Sequence, residues 1–160
     1  GRPEVVVGEP RAENPERVGA LRVISGRALA DLPRGRDAGA TPVPVGAVAG
    51  GWRVFSSTVD GRFGQSVAVG TEAGRGFIAV GEPRGDLGGV LFGGVRLYGI
   101  VQGELQIVGA VAAGSGPAAR FGEVVTAGRG ALLAGSRFDS AVFLDGGAVY
   151  RFGVEGLLGP

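Results

Sequence analysis

The chain has no cysteine, no histidine, no methionine and no lysine in 160 residues. Without thiolate or imidazole it lacks the ligands that zinc and iron–sulfur sites rely on, and it has neither a Cys nucleophile nor a Ser-His-Asp triad of its own. All 16 basic residues are arginine, and 15 acidic residues balance them to a net charge of +1. The two signs are interspersed, so no basic face for nucleic acid or for a membrane surface stands out. No apolar run approaches the length that spans a bilayer, and no charged-then-apolar segment of the signal-peptide kind opens the chain. A first residue of Gly1 is what a processed chain, a trimmed one or a piece of something larger would show.

Glycine is what the chain has in excess, 34 residues beside a 44% hydrophobic content. No three-residue glycine period runs through it, which excludes collagen, and its apolar runs set it apart from low-complexity tails. The length suits one domain with its own core. Phe63 to Tyr98 shows how that core is written: Phe63-Gly64, then Ser66-Val67-Ala68-Val69, then Phe77-Ile78-Ala79-Val80-Gly81-Glu82-Pro83, then Gly94-Val95-Arg96-Leu97-Tyr98. Runs this short, rich in β-branched and aromatic residues and broken by Gly or Pro, predict an antiparallel meander.

The same vocabulary returns on either side, the mark of a repeat. Val5-Val6-Val7-Gly8-Glu9-Pro10-Arg11 nearly repeats Ile78 to Arg84, and Gly19-Ala20-Leu21-Arg22-Val23 follows where Gly94-Val95-Arg96-Leu97 stands. Downstream, Phe121-Gly122 answers Phe63-Gly64, Leu132 to Ser136 answers Ala79 to Pro83, and Gly147 to Phe152 answers the third strand. Gly8 to Gly19 spans 11 residues, Gly81 to Gly94 spans 13 and Gly135 to Gly147 spans 12, so the copies keep their internal spacing.

A Phe-Gly step, a Ser-Val-Ala strand, an apolar strand ending Val-Gly-Glu-Pro and a Gly-Val-Arg-Leu-Tyr strand together resemble the FG-GAP repeat, the blade unit of β-propellers in integrin α-chains and in many bacterial surface or secreted proteins. The middle copy matches best, with Gly81-Glu82-Pro83 for the family's Gly-Ala-Pro. In the first copy no Phe-Gly strand precedes Val5, and in the third Gly135-Ser136-Arg137 replaces the triplet. The resemblance implies an all-β fold of about three four-stranded antiparallel propeller blades, an incomplete ring within one chain. The units run roughly 1–42, 60–117 and 118–160, with an inserted hairpin at 43–59. The resemblance also implies an extracellular or cell-surface setting, a cytoplasmic one not being excluded. Its Asp-rich calcium loop is missing: 70–76 offers the single carboxylate Glu72, 128–130 offers none, and Arg75 and Arg129 sit there instead. Calcium takes six to eight oxygens, several of them anionic, so no metal or other cofactor is expected.

Within the units, further elements are expected: a strand over Arg27 to Leu32, a fourth strand beginning at Val154, and an extra hairpin pairing Val45-Gly46-Ala47-Val48 with Trp52-Arg53-Val54-Phe55. Inner strands covered on both faces should read as continuous apolar runs, as Phe77 to Val80 and Ala131 to Ala134 do, and an edge strand should alternate, as Ala148 to Phe152 does.

Candidate site residues are few. Glu9 and Glu82 hold matching turn positions and carry the carboxylates that glycoside hydrolysis uses in pairs, although repetition alone also places them there. Trp52, the only tryptophan, reads either as packing between blades or as a stacking platform for a sugar or protein partner. No residue is assigned a catalytic, metal or cofactor role. The function expected is a non-enzymatic structural or protein-interaction module of the adhesion and assembly kind. Its alternative is a carbohydrate-binding or hydrolase-associated propeller domain. Three blades do not close a ring of the usual four to eight, and each open sheet face would bare apolar surface. Partners are therefore expected to be further copies or other propeller-completing chains, with a protein or glycan ligand as a possibility, and neither nucleic acid nor membrane insertion.

Overall fold

The computed structural model describes residues 4–11, 18–30, 51–56, 58–87, 93–114, 116, 118–128 and 130–158. Ten strands and one single-turn helix make up its regular structure: β1 Val5–Glu9, β2 Ala20–Ile24, α1 Gly26–Ala30, β3 Gly51–Phe55, β4 Ser66–Glu72, β5 Arg75–Glu82, β6 Gly94–Val101, β7 Glu104–Val111, β8 Phe121–Gly128, β9 Ala131–Ser136 and β10 Ala148–Gly153. They form three antiparallel sheets, ordered β1-β2-β3, β4-β5-β6-β7 and β10-β9-β8, and none is closed. The protein is all-β, as its short runs and glycine breaks predict.

β5 explains the architecture. Phe77 and Ala79 face a core shared with the last sheet, with Val95, Leu97, Phe121, Val125, Leu132 and Ala134. Ile78 and Val80, one residue out of phase, face a second core shared with the first sheet, with Leu21, Val23, Phe63 and Tyr98. Successive strand residues point to opposite sides, so a run without alternation is what two covered faces require. The middle sheet is thus sandwiched between the other two. β9 reads similarly in sequence but is buried on one side: Leu132 and Ala134 are buried and Leu133 only half so, because nothing among the described residues covers the far face of the last sheet. β10 alternates as an edge strand should.

The copies superimpose in their bonding. Arg84 N–H donates to Gly61 O and Phe138 N–H to Ala119 O, both at 3.1 Å; Gly93 N–H donates to Gly85 O as Gly147 N–H does to Asp139 O. Gly19 bridges in parallel to Phe63, and Gly93 to Phe121. These bridges make Gly93, not Gly94, the counterpart of Gly19 and Gly147.

Three expectations need revision or placement. Arg27 to Ala30 is helical, not strand, because the Ser25 hydroxyl accepts the Ala28 N–H at 3.3 Å and so caps a turn of helix where β2 stops. Val154 to Leu158 begins no fourth strand: the Leu157 and Leu158 N–H groups fold back onto Val154 O, and buried Val154 and Leu158 plug the end of the core. Trp52 to Phe55 lies in β3, which pairs with β2 from Ala20↔Phe55 to Ile24↔Gly51, so it is the third strand of the first sheet. The other half of the expected hairpin, Val45 to Val48, lies outside the described residues, as do Arg129 and residues 31–32. No helix among the described residues is long and apolar enough to cross a membrane.

Candidate functional site

Glu9 and Glu82 end the matching strands β1 and β5, and each is held by an arginine from the next strand. Arg22 Nε–H donates to Glu9 Oε1 at 3.1 Å, and Arg53 Nη2 to Glu9 Oε2 at 2.5 Å. Arg96 Nε–H donates to Glu82 Oε2 at 3.1 Å, while the Ser56 hydroxyl, from the end of the first sheet, donates to Glu82 Oε1. Glu82 is fully buried, while Glu9 is half-buried, with 18% of its side chain exposed. Both oxygens of each carboxylate are therefore committed to partners in the fold, and no hydrogen bond joins the two glutamates. The Ser56 bond ties the first sheet to the middle one. In the third copy, Ser136 stands for the glutamate and Tyr150 for the arginine. The Ser136 hydroxyl donates to Ala119 O at 2.9 Å and the Tyr150 hydroxyl to buried Asp139 Oδ2 at 2.6 Å. That hydrogen bond raises the Tyr150 pKa above the ordinary phenol value.

Trp52 is half-buried on β3 and packs against the core formed by Leu21, Val23 and Phe63. The structure does not bring it together with Glu9 or Glu82 as a single cluster. Among the described residues no group of three or more acidic side chains is placed to hold a metal ion.

The sheets meet through glycine. At the first junction Gly8 of β1 lies so close to Gly64 that a methyl group on it would overlap the Gly64 carbonyl, and a methyl on Gly64 itself, at φ +85, would in turn overlap Ala20 O. At the second junction Gly81 meets Gly122 in the same way, and Gly122, at φ +87, meets Gly94 O. Phe63 and Phe121, each fully buried, stand directly before those two positive-φ glycines. Each junction is therefore a Phe-Gly step seated on two glycines of the preceding sheet, a contact that any side chain would push apart. The Ser66 hydroxyl adds a bond across the second junction to Gly122 O at 2.8 Å.

A cleft opens where the first sheet runs out. β2 ends at Ile24, whereas β6, its counterpart, continues to Val101, so among the described residues the far end of the middle sheet has no strand opposite. The resulting cavity of about 560 Å³ is lined by Val6, Val69, Ile78, Tyr98, Ile100 and Leu105 among others, with Glu4 and Arg75 also on its wall. Burial pushes the Tyr98 hydroxyl up to about 12, Arg96 pulling it back in part and Glu82 adding to the rise.

Sequence reasoning found Glu9 and Glu82 but not Arg22, Arg96 and Ser56, which decide what they do. A usable signal was there: an arginine follows each glutamate after 13 or 14 residues, in Gly19-Ala20-Leu21-Arg22 and in Gly93-Gly94-Val95-Arg96 of the next strand. The cleft had no such signal, since it follows from where a strand stops. Compared with known proteins, the chain matches no family model and no curated protein.

Proposed function

We propose that the chain is a non-enzymatic structural and protein-interaction module, in which the three sheets are blades of an FG-GAP-like β-propeller that other copies or chains extend, in an extracellular or cell-surface setting. One observation carries this reading: two successive sheet junctions are built from the same residues in the same geometry, Gly8 and Gly19 receiving Phe63-Gly64, and Gly81 and Gly93 receiving Phe121-Gly122. Identical junctions in series are the property of an array that grows by adding units, each stabilised by its neighbour. The commitment of both carboxylates to arginines favours an assembly role over acid–base chemistry at those positions, because a carboxylate with both oxygens bonded is a brace.

Solution mass tests it. Sedimentation equilibrium over micromolar concentrations is expected to give species heavier than the 16.0 kDa chain. A monomer at every concentration, melting in one cooperative step, defeats the assembly reading.

A further inference from the structure

We infer that the outward face of the last sheet is a docking surface for the Phe-Gly step of a further repeat, a strand-forming segment of the type Arg-Phe-Gly, presented by a partner. The inference rests on the array reading and adds to it a specific surface and a specific occupant.

The surface is the third instance of a seat already occupied twice. In the register of their sheets, Gly8 pairs with Leu21, Gly81 with Val95 and Gly135 with Val149. Gly19, Gly93 and Gly147 complete the seats, all at positive φ: +71, +86 and +73. In the two occupied seats a methyl on the strand glycine would overlap the carbonyl of the incoming glycine. At Gly135 the same methyl would meet, among the described residues, only Val124 Cβ and O of its own sheet, both at 3.7 Å. Leu21 and Val95 are fully buried by the arriving Phe-Gly step, while their counterpart Val149 is 75% exposed beside Val124 at 64%. A groove of about 640 Å³ lies there, lined by Glu123, Val124, Gly135, Gly147 and Val149 among others. Glu123 Oε2, on the groove wall, is the one buried side-chain oxygen among the described residues without a hydrogen-bond partner.

The occupant follows from the two filled seats. Each takes an arginine at positive φ (Arg62, +59; Arg120, +56), then phenylalanine, then glycine at positive φ, leading into a strand. Phe63 and Phe121 are already buried in their own junctions, so a folded second copy has neither of these steps to offer. The step comes from a repeat whose Phe-Gly is free, and Glu123 Oε2 gives it an acceptor.

The probe is a synthetic peptide of residues 61–72, GRFGQSVAVGTE, titrated into the full chain with amide NMR shifts as the readout. Saturable binding is expected, with shifts centred on Gly135, Gly147 and Val149. Gly135→Val, whose Cβ would make only ordinary contacts with Val124 in the chain alone, is expected to weaken binding at least tenfold, and so is a peptide with alanine in place of its phenylalanine. No saturation by about 1 mM, or equal affinity of Gly135→Val, overturns the inference. The two proposals fail separately. Heavier species that show no saturable peptide binding remove this surface and keep the array, while a monomer that binds the peptide through Gly135 keeps the surface and removes self-assembly.

Discussion

Gly81→Ala and Gly135→Ala make one chemical change at two matching strand positions, and the junction geometry gives them opposite signs. At Gly81 the new methyl overlaps the Gly122 carbonyl oxygen and the Ser66 hydroxyl. The Gly122 oxygen belongs to backbone held at φ +87, so it cannot rotate aside, and relief comes only by moving the last sheet off the middle one. That movement loosens the core around Phe77, Leu97, Phe121 and Leu132. Overpacking of a filled core costs about 1–3 kcal/mol, and a clash with backbone belongs at the upper end. At Gly135 the methyl finds ordinary contact, and the restricted unfolded chain makes alanine more stable than glycine by about 0.4–1 kcal/mol. The two variants are thus expected to differ by about 3–4 kcal/mol. Urea unfolding followed by the fluorescence of Trp52 reads this directly, at a concentration low enough to keep the chain unassembled. For a domain of this size the thermal midpoint of Gly81→Ala falls by about 6–12 °C. Equal destabilisation of both variants, or none at Gly81, would refute the seat geometry on which both proposals draw.

Arg96→Met removes the partner of a fully buried carboxylate and is expected to cost about 3–5 kcal/mol, whereas Arg53→Met, at a pair open to solvent, costs about 1 kcal/mol or less; equal losses in urea midpoints would show that Glu82 is not the brace described. Both tyrosines are held neutral beyond the ordinary phenol range, Tyr98 by burial to about 12 and Tyr150 by its bond to Asp139. An unfolded tyrosine ionises near pH 10, so above that pH the native state holds more protons and stability falls as pH rises from about 10 towards 12. Tyrosinate absorbance is expected to rise together with loss of the β-sheet signal, and a reversible titration near 10 in the folded chain would contradict it.

The repeat was legible because it is spelled in letters that cannot vary freely. Gly8 and Gly81 abut backbone, and Glu9 and Glu82 need arginines, so the Val-Gly-Glu-Pro string survives in both copies. In the third copy the string degenerates where its constraints lapse: Ser136 replaces glutamate once Tyr150 and Asp139 take over the bracing. The helix at Gly26 was misread as strand: Arg, Ala and Leu favour helix and Ser25 is a preferred cap, but a run of five residues is too short for those signals to outweigh the strand expected there from the repeat. The turn at Val154 was not legible, since its apolar residues serve equally well to plug a core as to extend a sheet. The role of Glu82 could not be read either. The bracing depends on Ser56, 26 residues earlier, which leaves no local sign, and on Arg96, 14 later, whose spacing carries meaning only once it is set beside the matching Glu9 and Arg22.

Because a sheet's receiving glycines are filled by residues that come later in the chain, the structure has a direction of completion. During synthesis the first sheet leaves the ribosome with Gly8 and Gly19 bare, and stays so until Phe63 emerges; the middle sheet then waits for Phe121. Order therefore propagates from the amino end in steps of about one repeat, each new unit locking the one before it.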